Sequence, residues 1–225
     1  MVFDYFAEDA PNEKFFALFD EIIFNSNLPE IYKTQAQTFC EIWKSYLANG
    51  KFRFFENVIP DSLEDEIFPL EHYIIPHKFV CYFHINSVRH LLQHGSLQYR
   101  NVPLSSCKDI FHYTEMPVLE NYNNANHFPV IAVPMFSQNI TGNITTCEII
   151  DGNHRVSEAI KFGKDLMITF ITSNFLPPMA FVNKTSWILY HFLTGRAIIG
   201  SELTDMQRKE SYLQTLNLIL ADSFK

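Results

Sequence analysis

Hydrophobic positions along the chain follow two spacings in turn, and their order outlines the protein. Between residues 12 and 25 (NEKFFALFDEIIFN), Phe15, Phe16, Phe19, Ile22 and Ile23 recur at helical spacing, which predicts a helix with Asn12 as its cap. Pro29 opens a second predicted helix of about fifteen to twenty residues, a usual length for a globular helix. Its expected buried side is Ile31, Phe39, Ile42, Trp43 and Leu47, and Asn49-Gly50 ends it. Asp61 is a candidate cap for a short helix that Pro69 would stop. Residues 1–70 therefore read as a helical N-terminal region.

The spacing changes after that. Tyr73 to Phe83 (YIIPHKFVCYF) is β-branched and aromatic, as a strand should be, with Pro76 forcing an edge or a bulge. A short helix follows, capped by Asn86 or Ser87, burying Val88, Leu91 and Leu92 and closed by Gly95. Residues 96–127 are polar, with Asn121, Asn123, Asn124 and Asn126 crowded together, and read as a functional loop or an insertion. Next come a buried strand (FPVIAVPMF), a turn at Gln138 to Gly142, a second strand (TTCEIID), a helix (GNHRVSEAIKFG) and a third strand (LMITFIT). From Ser186 onward the pattern is mainly helical, with Gly195 and Gly200 as breaks. Strands and helices mixed in this order predict an α/β (α+β) fold, and 71–173 is its sheet-forming part, followed by a helical region over 174–225.

Composition narrows the class. The 225 residues are 47% hydrophobic and 19% charged, which suits a packed core rather than a disordered chain. Phe occurs 22 times against 7 Gly, so the core should be bulky and aromatic. No apolar run reaches the roughly 20 residues a membrane helix needs. The opening MVFDYFAEDAPNEK lacks the basic-then-apolar order of a signal peptide, so a cytoplasmic location is expected. The four cysteines are far apart and form no CxxC pair, which argues for reduced thiols over a zinc knuckle or a redox motif. A net charge of −8 disfavours sequence-independent binding to DNA, which works through Lys and Arg releasing counterions.

One segment carries chemistry. Glu148 to Gly163 reads as strand, tight turn and helix, with Val156, Ala159 and Ile160 burying one face and Gly163 at the left-handed C-cap. Asp151, Gly152, Asn153, His154 and Arg155 crowd the helix start, where unpaired N–H groups and the positive dipole end favour an anion. His154 and Arg155 add to that pull, and Gly152 lets an anion approach the backbone without a Cβ in the way. The competing reading is structural: Asp151 caps the helix, Gly152 makes the turn, and His154 and Arg155 are surface residues. Exposure of Arg155 at the helix start is expected on either reading, so that its removal should change fold stability little.

The run IIDGNHRVSEAIKFG resembles the signature of the ParB/sulfiredoxin superfamily, in which a strand leads into D-G-x-H-R or a variant and then a small-residue helix ending in Gly. The order of the neighbouring elements over about residues 70–173 is similar too. The resemblance implies a small mixed sheet with helices and a grip on nucleotide phosphates. Carried over by position, Gly152, Asn153, His154 and Arg155 would line the phosphate site, with Asp151 orienting the turn or assisting a metal. Asn153 stands where sulfiredoxin has its catalytic Cys, which argues against that chemistry. The CTP-hydrolysing partition proteins have Glu and a second Arg at positions 153 and 154, which argues against their chemistry as well.

The motif is closest to the D-G-x-H-R subgroup, which resembles the nucleotide-dependent kinases of free serine. Those use a carboxylate near the first strand as base, and Glu71 is the nearest candidate. The implied function is nucleotide binding with phosphoryl transfer to a small-molecule acceptor, or hydrolysis of a nucleoside triphosphate (ATP or CTP) with Mg²⁺. Asp151, His154 and Glu71 are then the catalytic candidates. The alternative is a non-catalytic DNA- or protein-binding regulatory module on the same fold. His90 and His94 share a helix face at the spacing of a metal pair, without the Glu of an H-E-x-x-H arrangement, and read as ordinary histidines. Cys147 reads as a core thiol.

Overall fold

The computed structural model describes residues 2–3, 30–48, 66–74, 77–107, 110–117, 128–138, 144–173, 175–200 and 206–222. The predicted helix over 12–25, the Asp61 cap, the asparagine-rich stretch over 121–126 and the turn residues 139–142 lie outside them.

The second predicted helix is present as α1 (Glu30–Ala48), which buries Phe39, Cys40, Trp43, Tyr46 and Leu47. Ile31 belongs to the opposite face and is exposed, and Ile42 is only partly buried. The expected single strand from Tyr73 is two strands, β2 (Ile67–Ile74) and β3 (His77–His84), paired antiparallel. Pro76, at which an edge or a bulge was expected, lies outside the described residues. Pro69 does not stop a helix but lies within β2. That is allowed because β2 is an edge strand, so one side of its backbone needs no partner. Strand β1 (Val2–Phe3) completes the sheet by pairing in parallel with β3, which places strand as well as helix in the first 70 residues.

Helix α2 (Ile85–Gln93) buries Val88, Leu91 and Leu92 as expected. Its cap is neither Asn86 nor Ser87 but His84, whose Nδ1 accepts the Ser87 N–H at 3.1 Å. The stretch after it is not structureless. It holds β4 (Tyr99–Pro103), a 3₁₀ turn over Leu104–Ser106 and β5 (Phe111–His112). These weakly patterned segments become strands because a partner strand supplies the pairing, which local pattern does not reveal.

The expected strands follow as β6 (Val130–Gln138), β7 (Ile144–Asp151) and β8 (Met167–Ile171), with α3 (Asn153–Phe162) between the last two. The second sheet is mixed, in the order β4-β8-β6-β7-β5. Strands β6 and β7 are antiparallel, whereas β6 with β8 and β5 with β7 are parallel. Alternation splits its residues between two cores. Ile131, Val133, Ile150 and Ile171 face the larger core with α1, α2, α4 and α5. Val130, Ala132, Cys147, Ile149 and Ile168 face the smaller one with Val156 and Ala159 of α3. Ile160, expected beside them, is at the exposed margin.

Helices α4 (Lys184–Gly200) and α5 (Met206–Asp222) close the fold. Helix α4 is buried on nearly all sides, between the strands and α1. Phe192 stacks on Phe39 of α1 with ring centroids 5.4 Å apart. Gly195 is no break; it sits inside α4, where Phe39 and Tyr212 approach too closely for a side chain. The molecule is thus an α+β fold with helical regions around its sheets.

Candidate functional site

The D-G-N-H-R segment sits where β7 ends and α3 begins. Gly152 is the N-cap, with φ 90°, a conformation costly for any other residue. No side chain caps the helix, so Asp151 does not play the capping role that the structural reading gave it. The first intrahelical bond is Val156 N–H to Gly152 O at 3.0 Å. The amides of Asn153, His154 and Arg155 therefore precede the helical ladder, as at any helix start.

The Asp151 carboxylate is engaged from another helix. Its side chain is 5% exposed, and Oδ2 accepts from Arg89 of α2, with Nη2 at 2.7 Å and Nε at 2.9 Å. Burial pushes the Asp151 carboxyl above its ordinary value, against the pull of the Arg89 charge. Arg89 also reaches Glu66 Oε2 at 2.8 Å and Asn86 Oδ1 at 3.2 Å through Nη1, and its guanidinium lies 4.5 Å from the Phe128 ring centroid.

Arg155 is less open than expected. Its side chain is 16% exposed. It donates to the carbonyls of Phe128 and Pro129, the latter at 3.1 Å, and Nη2 stands 3.8 Å from Asp151 Oδ1. A Cβ at Gly152 would come within 2.8 Å of both Arg155 Nη2 and Val130 Cγ2, so the space that glycine leaves is filled from within the chain. Asn153 is buried with both ends of its amide engaged: Nδ2 donates to Ile149 O at 3.0 Å, and Oδ1 accepts the Thr114 N–H at 2.9 Å. His154, in the first turn of α3, is half-buried.

Glu71 comes from a different element. It is an exposed residue of β2, opposite Val80, in the other sheet. The acidic residue that meets the cluster from that side is Glu66, through Arg89. Sequence reasoning missed Arg89, which sits in a short helix with no local sign of its partner. It also missed a second pair. Glu148, buried in the middle of β7, lies 2.8–2.9 Å from His112 Nδ1 on β5. A charge inside an apolar strand was the available signal, because a buried carboxylate requires a partner. Burial pushes the Glu148 carboxyl up, and the hydrogen bond to Glu148 raises the affinity of His112 for its proton.

Among the described residues no group of three His, Cys, Asp or Glu side chains could hold a metal ion. The ring centroids of His90 and His94 lie 4.0 Å apart with the planes tilted by 35°, and His94 Nδ1 is 2.9 Å from His90 O. Cys147 is a buried thiol that forms no disulfide. No helix among the described residues is long and apolar enough to cross a membrane. No family model, curated protein or solved structure matches the chain.

Proposed function

We propose that the chain is a ParB/sulfiredoxin-like nucleotide-binding protein that holds a phosphate of ATP or CTP at the start of α3. The observation that carries this reading is a helix entered through a left-handed glycine, with His154 and the cation Arg155 in its first turn. Helix-start amides, the helix dipole and an adjacent cation are what a phosphate requires. The backbone N–H groups of 153–155 and the imidazole of His154 would hold the anion. Arg155, already bonded to two carbonyls, would contribute its charge at longer range. Mg²⁺ would supply charge neutralisation on the phosphates. Asp151 is poorly placed to ligate it, since Oδ2 is taken by two Arg89 nitrogens. The reaction would be phosphoryl transfer to a small-molecule acceptor or hydrolysis, chemistry that rests on positioning and charge stabilisation. Glu71 is the base that the resemblance implies.

A second reading, a non-catalytic DNA- or protein-binding module, is favoured by one observation: Asp151, Asn153 and Arg155 all direct their polar groups to internal partners. Thermal shift with ATP, CTP and inorganic phosphate, each with and without Mg²⁺, separates the two. Binding to the folded state at a hundred times Kd stabilises it by about 2.7 kcal/mol. The nucleotide reading expects such a shift for at least one triphosphate, and a smaller one for His154→Ala. No shift with any triphosphate refutes it, and salt-dependent binding to duplex DNA would then support the module.

A further inference from the structure

Beside the start of α3 the chain makes a second construction that the phosphate reading does not use. Strand β5 lies at the edge of the five-stranded sheet and pairs in parallel with β7, Phe111 opposite Cys147 and His112 opposite Glu148. Phe111 enters the smaller core. His112, on the other face, is 63% exposed at its side chain and bonds the carboxylate of Glu148, which is 7% exposed. Two residues on, the Thr114 N–H donates to Asn153 Oδ1 at 2.9 Å. Two further on, the Met116 N–H donates to Ser157 Oγ at 3.0 Å. Residues 110–117 thus run from the sheet edge onto the first turns of α3, with polar anchors at 112, 114 and 116.

We propose that residues 110–117 form a pH-sensitive strap, closed over β7 and α3 while His112 is protonated and released from the sheet edge when His112 loses its proton. The physical basis is the burial of Glu148. A carboxylate shielded from water requires a countercharge, and removing one partner of a buried pair is costly. Neutral His112 still offers an N–H but no charge. The ladder that would hold β5 without that charge is two residues long, and among the described residues β5 has no neighbour on its outer side. Lifting the strap returns Glu148 to water.

Among the described residues, no other charged group competes for the pair. Glu148 is the charged partner of His112, and His112 that of Glu148. On β6, the residue in register with Glu148 is Val133. Tyr113 and Glu115 are the other ionisable residues of the strap. On α3, His154 and Glu158 flank the two anchors, and Glu158 is paired with Lys164 at 3.0 Å. The sign follows from His112 binding its proton more tightly when the strap is closed. Closure is favoured below the ordinary imidazole value and lost as pH rises through the higher value of the closed state. The closed-to-open ratio changes about tenfold for each unit between the two.

The test uses the full ¹⁵N-labelled chain without nucleotide, so its outcome is independent of the phosphate reading. The His112 imidazole and the amides of Thr114 and Met116 are followed by NMR from acid to alkaline pH, with amide exchange corrected for its intrinsic pH dependence. The strap predicts that both amides titrate with the His112 midpoint and lose protection above it, by about tenfold for each unit that the midpoint lies above the ordinary imidazole value. In Glu148→Gln the His112 midpoint should fall toward about 6.5, the ordinary imidazole value, and the two amides should stop following it. Amides that stay unchanged through the His112 titration, or that follow it equally in Glu148→Gln, would overturn the proposal. The wild-type titration decides the matter even if the variant does not fold.

Discussion

Arg89 of α2 and Asp151 at the end of β7 form a buried ion pair, with two guanidinium nitrogens within 2.9 Å of one carboxylate oxygen. The pair joins the helix that follows the three-stranded sheet to the strand that feeds the D-G-N-H-R turn. Glu66 on the other side of Arg89 extends the link to the start of β2. The turn is thus held by residues 62 and 85 positions away from Asp151 in the chain, counted from Arg89 and Glu66.

Arg89→Met should destabilise the protein by about 3–5 kcal/mol, because it leaves the buried Asp151 carboxylate with only the more distant Arg155 beside it. Arg89→Met with Asp151→Leu should cost less than the two single changes added together. Urea denaturation of the four proteins measures this coupling.

Arg155→Ala should lower stability by about 1–3 kcal/mol, since it removes bonds to two backbone carbonyls from a charged donor. Arg155→Lys should restore only part, as an ammonium lacks the planar fork. Gly152→Ala should cost about 1–2 kcal/mol from its positive φ alone, and more from the contacts with Arg155 and Val130. Chemical melts of the three variants provide the check, and an unchanged Arg155→Ala would show that the carbonyl bonds contribute nothing.

Gly195→Ala tests the packing of α4. Alanine is the better helix former by about 1 kcal/mol. Its Cβ would nevertheless lie 2.7 Å from Phe39 Cε2 and clash with the Tyr212 hydroxyl. Overpacking of this kind costs about 1–3 kcal/mol. The melting temperature should therefore fall; a rise would mean that α1 and α5 move apart without loss.

His191 is fully buried in α4, with Nε2 3.0 Å from Leu176 O, and burial lowers its pKa to about 4. An unfolded histidine titrates near 6.5, so the folded state resists protonation. Stability from this group is present above about pH 6.5 and is lost as pH falls toward 4, up to about 3 kcal/mol. Denaturation at several pH values should show that slope, and His191→Phe should flatten it. An equal acid slope in the variant would assign it to other groups.

The core elements were largely legible. The apolar runs of β6, β7 and β8 and the spacing of α1, α2 and α3 mark them locally, because each buries a face set by its own period. Gly163 at the end of α3 does have the left-handed conformation expected of it. The weakly patterned strands β2, β4 and β5 were not legible, because a strand with an exposed face gains its stability from the neighbour it pairs with. Gly195 was misread for a similar reason: nothing in its local sequence reveals that Phe39 and Tyr212 meet there.

The sequence alone determined that a strand, a Gly-mediated turn and a helix come together at Asp151 to Arg155, since residues adjacent in the chain stay adjacent in space. Only the tertiary structure decided where their side chains go. Asp151 turns to Arg89, Arg155 to the carbonyls of Phe128 and Pro129, Asn153 to Thr114, and Glu148 to His112. Each choice satisfies a polar group that folding removed from water, with a partner 26 to 62 residues distant. Such partners are selected by the cost of burying charge and hydrogen-bonding capacity unpaired, a cost that arises only when distant segments meet.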